Sequence, residues 1–473
     1  MRTARSRSSG LNFLGILRFS LLRLGTEPRA LHGGTMGHFW VDLATYNRAD
    51  TSWQGHAEQQ DDYLAIRTIK RPDEGLPQPG STPMPDAVYG ATEVGGTVAY
   101  DIRSVPENSV MGGNKISVRS YLARGFVVGV DPSELASAKV VSITANFYGL
   151  VMWSGAKGAH IDYDRQPDGR VNTMTYTVRR VTPITAEISD RRTLEIGVSW
   201  EASERQFDQF SASTPLTFTI TRSRPGTWYE LIRPVIAFQD LINLAYDAFV
   251  PCVGGSLVPH YRKDVEPSKG ALWSNSLMDV PEGVKRASEK SERPAFSLGA
   301  IGGAPGVRRW LLLAETHPRA VGPLTSARRF GMTTVEVELM NIAVAIEYWV
   351  GACKKESTTR PKWTKVKNKG YAELLAMHVG SAFRKFVGGD ECKWARLFWD
   401  RYTALKHDPL VSYDSYEIST LMRSGRILLM CALLNRVAGS KAPTRWICQS
   451  TQFYHLGERT RDLMASNPKL FRR

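Results

Sequence analysis

Arg401 and His407 stand with five residues between them, inside the segment Trp399-Asp400-Arg401-Tyr402-Thr403-Ala404-Leu405-Lys406-His407-Asp408. An imidazole can take up a proton near neutral pH and give it back, and a guanidinium can grip a phosphate through two parallel hydrogen bonds. Together they form a minimal set for breaking a phosphodiester without a metal. One proton leaves a ribose 2′-hydroxyl, one reaches the departing 5′-oxygen, and the arginine neutralises charge building on phosphorus. A chain with 9 His and 61 Lys and Arg produces such a spacing by chance. The plain alternative is a helix-capping His beside an Arg paired with Asp400 or Asp408 on a solvated face. The elements around the pair must decide.

Other candidate groupings are weaker. Gly303 and Gly306 have the spacing of the last two glycines of a phosphate-cradling Gly-x-Gly-x-x-Gly. Ile301 occupies the first glycine's place, however, and Pro305 removes a backbone N–H. A plain glycine-rich loop is the better reading. His160, Asp162 and Asp164 lie beside a turn and read as a solvated loop rather than a metal site. The run 354–369 is basic, and its Lys362, Lys365 and Lys367, with Trp363 as a base-stacking platform, are the candidate RNA-binding residues.

At 473 residues the chain exceeds what one hydrophobic core serves, so two or more domains are expected. Its charge is uneven. Residues 321–473 hold 25 Lys and Arg against 13 Asp and Glu, a net of +12, while residues 36–320 hold 30 against 32. Positive charge clustered in the part that holds Arg401 and His407 favours a polyanionic partner such as RNA or DNA, and fits a basic surface adopted for solubility equally well. Cys252, Cys353, Cys392, Cys431 and Cys448 form no Cys-x-x-Cys pair, which argues against a zinc ribbon or a disulfide framework and fits a reducing cytoplasm. No run of 18 uncharged apolar residues offers a membrane span. Residues 1–36 are Arg- and Ser-rich and read as an unstructured or mis-assigned leader.

From Phe39 to about Thr221, short segments alternate β-branched or aromatic residues with polar ones, as in 63–69, 96–102, 139–147 and 216–220. That period of two predicts antiparallel strands, and seven or more of them a sandwich-like domain over 37–227. Residues 71–90 read as a Pro/Gly-rich loop. A mixed extension over 228–325 follows, with a helix at 228–249 interrupted early by Pro234 and a buried strand at Trp310-Leu311-Leu312-Leu313. Helical spacing then dominates, at 334–352, 371–387, 391–406 and 413–437. Four such helices make a bundle over 326–440, with a C-terminal tail at 441–473. Pro409 ends the third helix near His407. The fold class is α+β: an antiparallel β-rich part followed by an all-α part.

A four-helix bundle with Arg-x5-His between its third and fourth helices resembles the HEPN superfamily. The resemblance extends further. The opening Gly37-His38-Phe39-Trp40 and the expected strand Phe147-Tyr148-Gly149-Leu150-Val151-Met152-Trp153 are similar to the ApeA N-terminal domain. The first bundle helix, with Ala345-Ile346-Glu347-Tyr348-Trp349, resembles the ApeA-type HEPN domain. The resemblance implies an anti-phage, abortive-infection protein that cuts RNA without cofactor or metal, with a β-rich sensor or regulator responding to a phage-derived trigger. It implies Arg401 and His407 as catalytic residues, Glu347 as a match to a recurrent acidic position of the first helix, and a homodimer through the bundle; Glu347, Tyr402 and Asp400 are the supporting candidates. Tyr402 stands where the family usually carries Asn, Asp or His. That departure keeps open a non-catalytic HEPN module that only binds RNA or dimerises.

Overall fold

The computed structural model describes residues 35–40, 53–60, 63–70, 87–92, 95–104, 108–110, 116–130, 139–147, 150–189, 191–206, 209–260, 270–278, 280–281, 283–287, 293–331, 333–356, 370–408 and 410–471. The leader and the candidate RNA-binding residues Lys362, Trp363, Lys365 and Lys367 lie outside these. The chain forms two compact units, Met1–Val128 and Gly129–Arg473.

The first unit is built from β1 (Thr35–Trp40), β2 (Trp53–Gln60), β3 (Tyr63–Lys70), β4 (Ala87–Thr92), β5 (Gly95–Ser104), β6 (Asn108–Val110) and β7 (Ile116–Val130). Its strands run in the order β7-β3-β2-β1-β4-β5, and β7 also pairs with β5, so the sheet closes into a ring. Leu64, Ile66, Val88, Val98, Tyr121 and Val127 are buried in this unit. Part of the expected loop at 71–90 is strand, because β4 begins at Ala87; residues 71–86 lie outside the described residues.

The second unit opens with β8 (Val140–Phe147), a single helical turn α1 (Val151–Ser154), β9 (Ala159–Arg165), β10 (Val171–Val178), β11 (Ile184–Ser189), β12 (Arg192–Val198), β13 (Glu201–Gln206), β14 (Gln209–Ser213) and β15 (Leu216–Gly226). After α2 (Trp228–Tyr246) come β16 (Cys252–Pro259), β17 (Gly270–Ser274) and α3 (Asn275–Met278). An antiparallel sheet runs β11-β12-β15-β8-β16-β17. Thr227 and Glu230 form a capping box that starts α2, and the helix runs on through Pro234 rather than ending there. Phe238 of α2 stacks on Phe218 of β15 at 3.9 Å and meets Phe147 and Trp153 edge-on.

Three local expectations are corrected here. The strand expected over 147–153 ends at Phe147, and Val151–Ser154 form α1, which Gly155 closes in a left-handed conformation. His160, Asp162 and Asp164 belong to strand β9, not a loop. The Asp168-Gly169 turn folds β9 back on β10, and His160 pairs with Asp162 at 2.7 Å. Trp310–Leu313 is helical, within α4 (Gly303–Thr316). Buried Ala304, Val307, Trp310 and Leu311 recur at helical spacing, a period that four apolar residues in a row conceal.

The rest of the second unit is helical: α5 (Pro318–Phe330), α6 (Val335–Lys355), α7 (Tyr371–Val379), α8 (Ser381–Phe386), α9 (Glu391–His407), α10 (Ser415–Ala438), α11 (Ala442–Gln449) and α12 (Tyr454–Ala465). The four expected bundle helices are present, the second broken into α7 and α8 at Gly380, whose φ of 113° only glycine adopts without strain. The expected tail holds α11 and α12. Helix α10 is buried on nearly every side, from Ile418 to Val437, and touches α4, α6, α7, α9, α11 and α12. A helix apolar all round must lie inside, so α10 is the axis on which the others pack. Two contacts tie α4 and α5 to α2: Trp310 Nε1 donates to the Ala237 carbonyl at 2.6 Å, and Arg329 pairs with Asp240 at 2.6 Å.

Candidate functional site

Helix α9 carries both Arg401 and His407. Its start is fixed by Asp390, which accepts a hydrogen bond from the Lys393 amide at 2.8 Å, and by Glu391, which takes a two-pronged bond from Arg384 at 2.6 and 2.7 Å. Its inner face is aromatic. Trp394 stacks on Phe398, meets Phe383 edge-on, and donates through Nε1 to Ser424 Oγ of α10 at 3.0 Å. Gly425 of α10 lets this face approach. A methyl group there would stand 2.5 Å from the Phe398 ring. The helix ends at His407, and Asp408 is extended ahead of Pro409, as the proline demands.

Six residue steps along the helix carry His407 about 9 Å beyond Arg401 and leave the two side chains about a third of a turn apart around the axis. The two side chains accordingly differ in surroundings. Arg401 is only 3% exposed. Its Nε donates to Glu417 Oε1 at 2.5 Å, its Nη1 to Asp400 Oδ2 at 2.5 Å, and its Nη2 to the Lys469 carbonyl at 2.9 Å. The Phe471 ring lies across its face, 3.9 Å from the guanidinium carbon, and the Phe471 amide donates to Asp400 Oδ2 at 2.8 Å. His407 is exposed and has no hydrogen bond or ion pair with another described residue.

The pairing of Arg401 with Asp400 is present, but it is buried rather than solvated. The second carboxylate on Arg401 is Glu417 from α10. Glu347 is half-buried on α6 and makes no hydrogen bond or ion pair among the described residues. Tyr402 is buried against Trp399, and its hydroxyl accepts from Lys406 at 3.3 Å, so it does not orient Arg401. The site therefore holds one arginine between two carboxylates under the segment Lys469–Phe471, with an open imidazole at the helix end. Sequence reasoning missed Glu417, the Lys469 carbonyl and Phe471. The only signal available for Glu417 was its place in the first turn of the following helix.

Among the described residues no group of three or more His, Cys, Asp or Glu could hold a metal ion, and no helix is long and apolar enough to cross a membrane. No curated protein and no solved structure matches the chain. Two families do. Residues 340–443, which contain both Arg401 and His407, match the Apea-like HEPN family. Residues 36–310, more than half of the chain, match ApeA N-terminal domain 1. With the β-rich match in front and the HEPN match behind, the chain belongs to the ApeA family.

Proposed function

We propose that this protein is a metal-independent HEPN endoribonuclease of anti-phage defence, with the β-rich part as its sensor or regulator. The observation that carries this reading is the placement of His407 within the HEPN match. It is an exposed, unengaged imidazole at the end of the helix that also fixes an arginine. His407 takes the proton from a ribose 2′-hydroxyl as that oxygen attacks phosphorus. The 5′-oxygen then leaves with a proton, and the products carry 2′,3′-cyclic phosphate and 5′-hydroxyl ends. Asp400 and Glu417 hold the Arg401 guanidinium in one orientation, so that it is set before substrate arrives. A phosphate reaches it only after the Lys469–Phe471 segment moves aside. A homodimer through the bundle supplies a second imidazole for the leaving group, and the +12 charge of residues 321–473 draws RNA in.

A second reading rests on the burial of Arg401. A guanidinium already neutralised by two carboxylates is also what a structural ion pair looks like, and the domain would then only bind RNA or dimerise. Expression toxicity separates the two. The ribonuclease reading expects toxicity from the wild-type chain and none from His407→Ala, an exposed position whose replacement keeps the fold. Equal toxicity from both would rule out cleavage by this pair.

A further inference from the structure

A cavity of about 610 Å³ opens at the far end of α10 from Arg401, between α4, α6, α7 and the turn into α11. Glu417, which holds Arg401, and Asn435, which lines this cavity, lie about 27 Å apart along the helix. The two places are separate. The floor is apolar: Leu312, Leu313, Trp349, Ala432 and Val437. Its charged lining is Arg309, Arg436, Lys441 and Glu356, with His317 and His378 beside them.

The charges do not cancel. Glu356 is the cavity's one carboxylate, and it is engaged by Arg436 at 2.6 Å. Arg309 spends Nε on the Val437 carbonyl and has no carboxylate partner among the described residues. Lys441 has none either; its side chain lies over Gly380, where a methyl group would stand 3.3 Å from the ammonium. Asn435 adds a spare donor. It is 8% exposed, its Oδ1 accepts from Thr444, and its Nδ2 has no partner among the described residues. The lining thus has two cations without a carboxylate partner among the described residues and an unspent amide N–H, against one carboxylate that Arg436 already engages. A buried donor without a partner is costly unless a ligand satisfies it.

We propose that this cavity binds a small organic phosphate. A carboxylate would neutralise one of the two cations, whereas a phosphomonoester carries nearly two negative charges and three acceptor oxygens. Arg309 offers a planar fork and Lys441 a point charge, the two usual ways of holding a phosphate. A volume in this range and an apolar floor accommodate a body of nucleoside size behind the phosphate. The reading does not rest on RNA cleavage.

Isothermal titration of the full chain with adenosine 5′-monophosphate tests it, with adenosine and inorganic phosphate as separate arms. The expected result is saturable binding of the monophosphate, with adenosine about tenfold weaker or worse. Inorganic phosphate should displace it only at higher concentration. Lys441→Glu and Arg309→Gln should each weaken binding by about tenfold while circular dichroism stays unchanged; Lys441 is exposed and its side chain bonds to no described residue, so its replacement leaves the fold intact. Absent binding, equal binding of adenosine, displacement by inorganic phosphate on equal terms, or full affinity in Lys441→Glu would each overturn it.

Discussion

Arg401 sits between Asp400, Glu417 and the Lys469 carbonyl with Phe471 across its face, so a substitution there changes stability and chemistry together. Arg401→Ala leaves two carboxylates facing each other in a buried site and is expected to lower unfolding free energy by about 3–5 kcal/mol in a denaturant titration. His407→Ala removes an exposed side chain without partners and should stay within about 0.5 kcal/mol of the wild type. That difference makes His407 the cleaner probe of chemistry. The thiols give an independent check on burial. Burial, with Glu356 nearby, pushes the Cys353 thiol up to about 12, and burial pushes that of Cys252 up to about 11. Below those values almost no thiolate exists, so iodoacetamide at mildly alkaline pH should leave both unmodified in the native protein. Peptide mapping by mass spectrometry should find both labelled only after denaturation.

At the scale of elements, the contact between α9 and α10 depends on Gly425. Gly425→Ala drives a methyl group into the buried Phe398 ring and should cost about 1–3 kcal/mol, read as a lowered melting temperature. The C-terminal segment is the second element to test. If Arg401 is catalytic, removing residues 467–473 uncovers it and should raise RNA cleavage; unchanged or lower cleavage would assign the segment a purely structural role. The bundle helices were legible from sequence because their apolar residues recur at helical spacing over long stretches. Trp310–Leu313 was not, because four consecutive apolar residues fit a strand and a helix equally. Arg401 and His407 could be picked out by residue type and spacing. Their different surroundings could not, since Phe471 reaches Asp400 across 71 residues of chain and no local pattern records a contact of that range.

For the molecule as a whole, the strand periodicity from Phe39 to about Thr221 predicts a β-rich domain over 37–227. The contacts group the chain into Met1–Val128 and Gly129–Arg473, with the second sheet and the helices in one unit. The reason is tertiary. The sheet from β8 to β17 packs on α2, and Trp310 and Arg329 fasten α4 and α5 to that same helix, which joins this sheet and the helices into one unit. Strand periodicity predicts that a sheet exists but not what covers it. Sheet and bundle are thus continuous within the second unit. One measurement decides whether the α9 site cleaves: the ends of RNA incubated with the full chain in excess EDTA. The account predicts 2′,3′-cyclic phosphate ends from the wild type and a loss of about 100-fold or more in cleavage rate for His407→Ala, the size expected for removing a general base. Cleavage by His407→Ala at the wild-type rate would contradict it, as would an equally well-folded chain lacking residues 467–473 that leaves RNA intact.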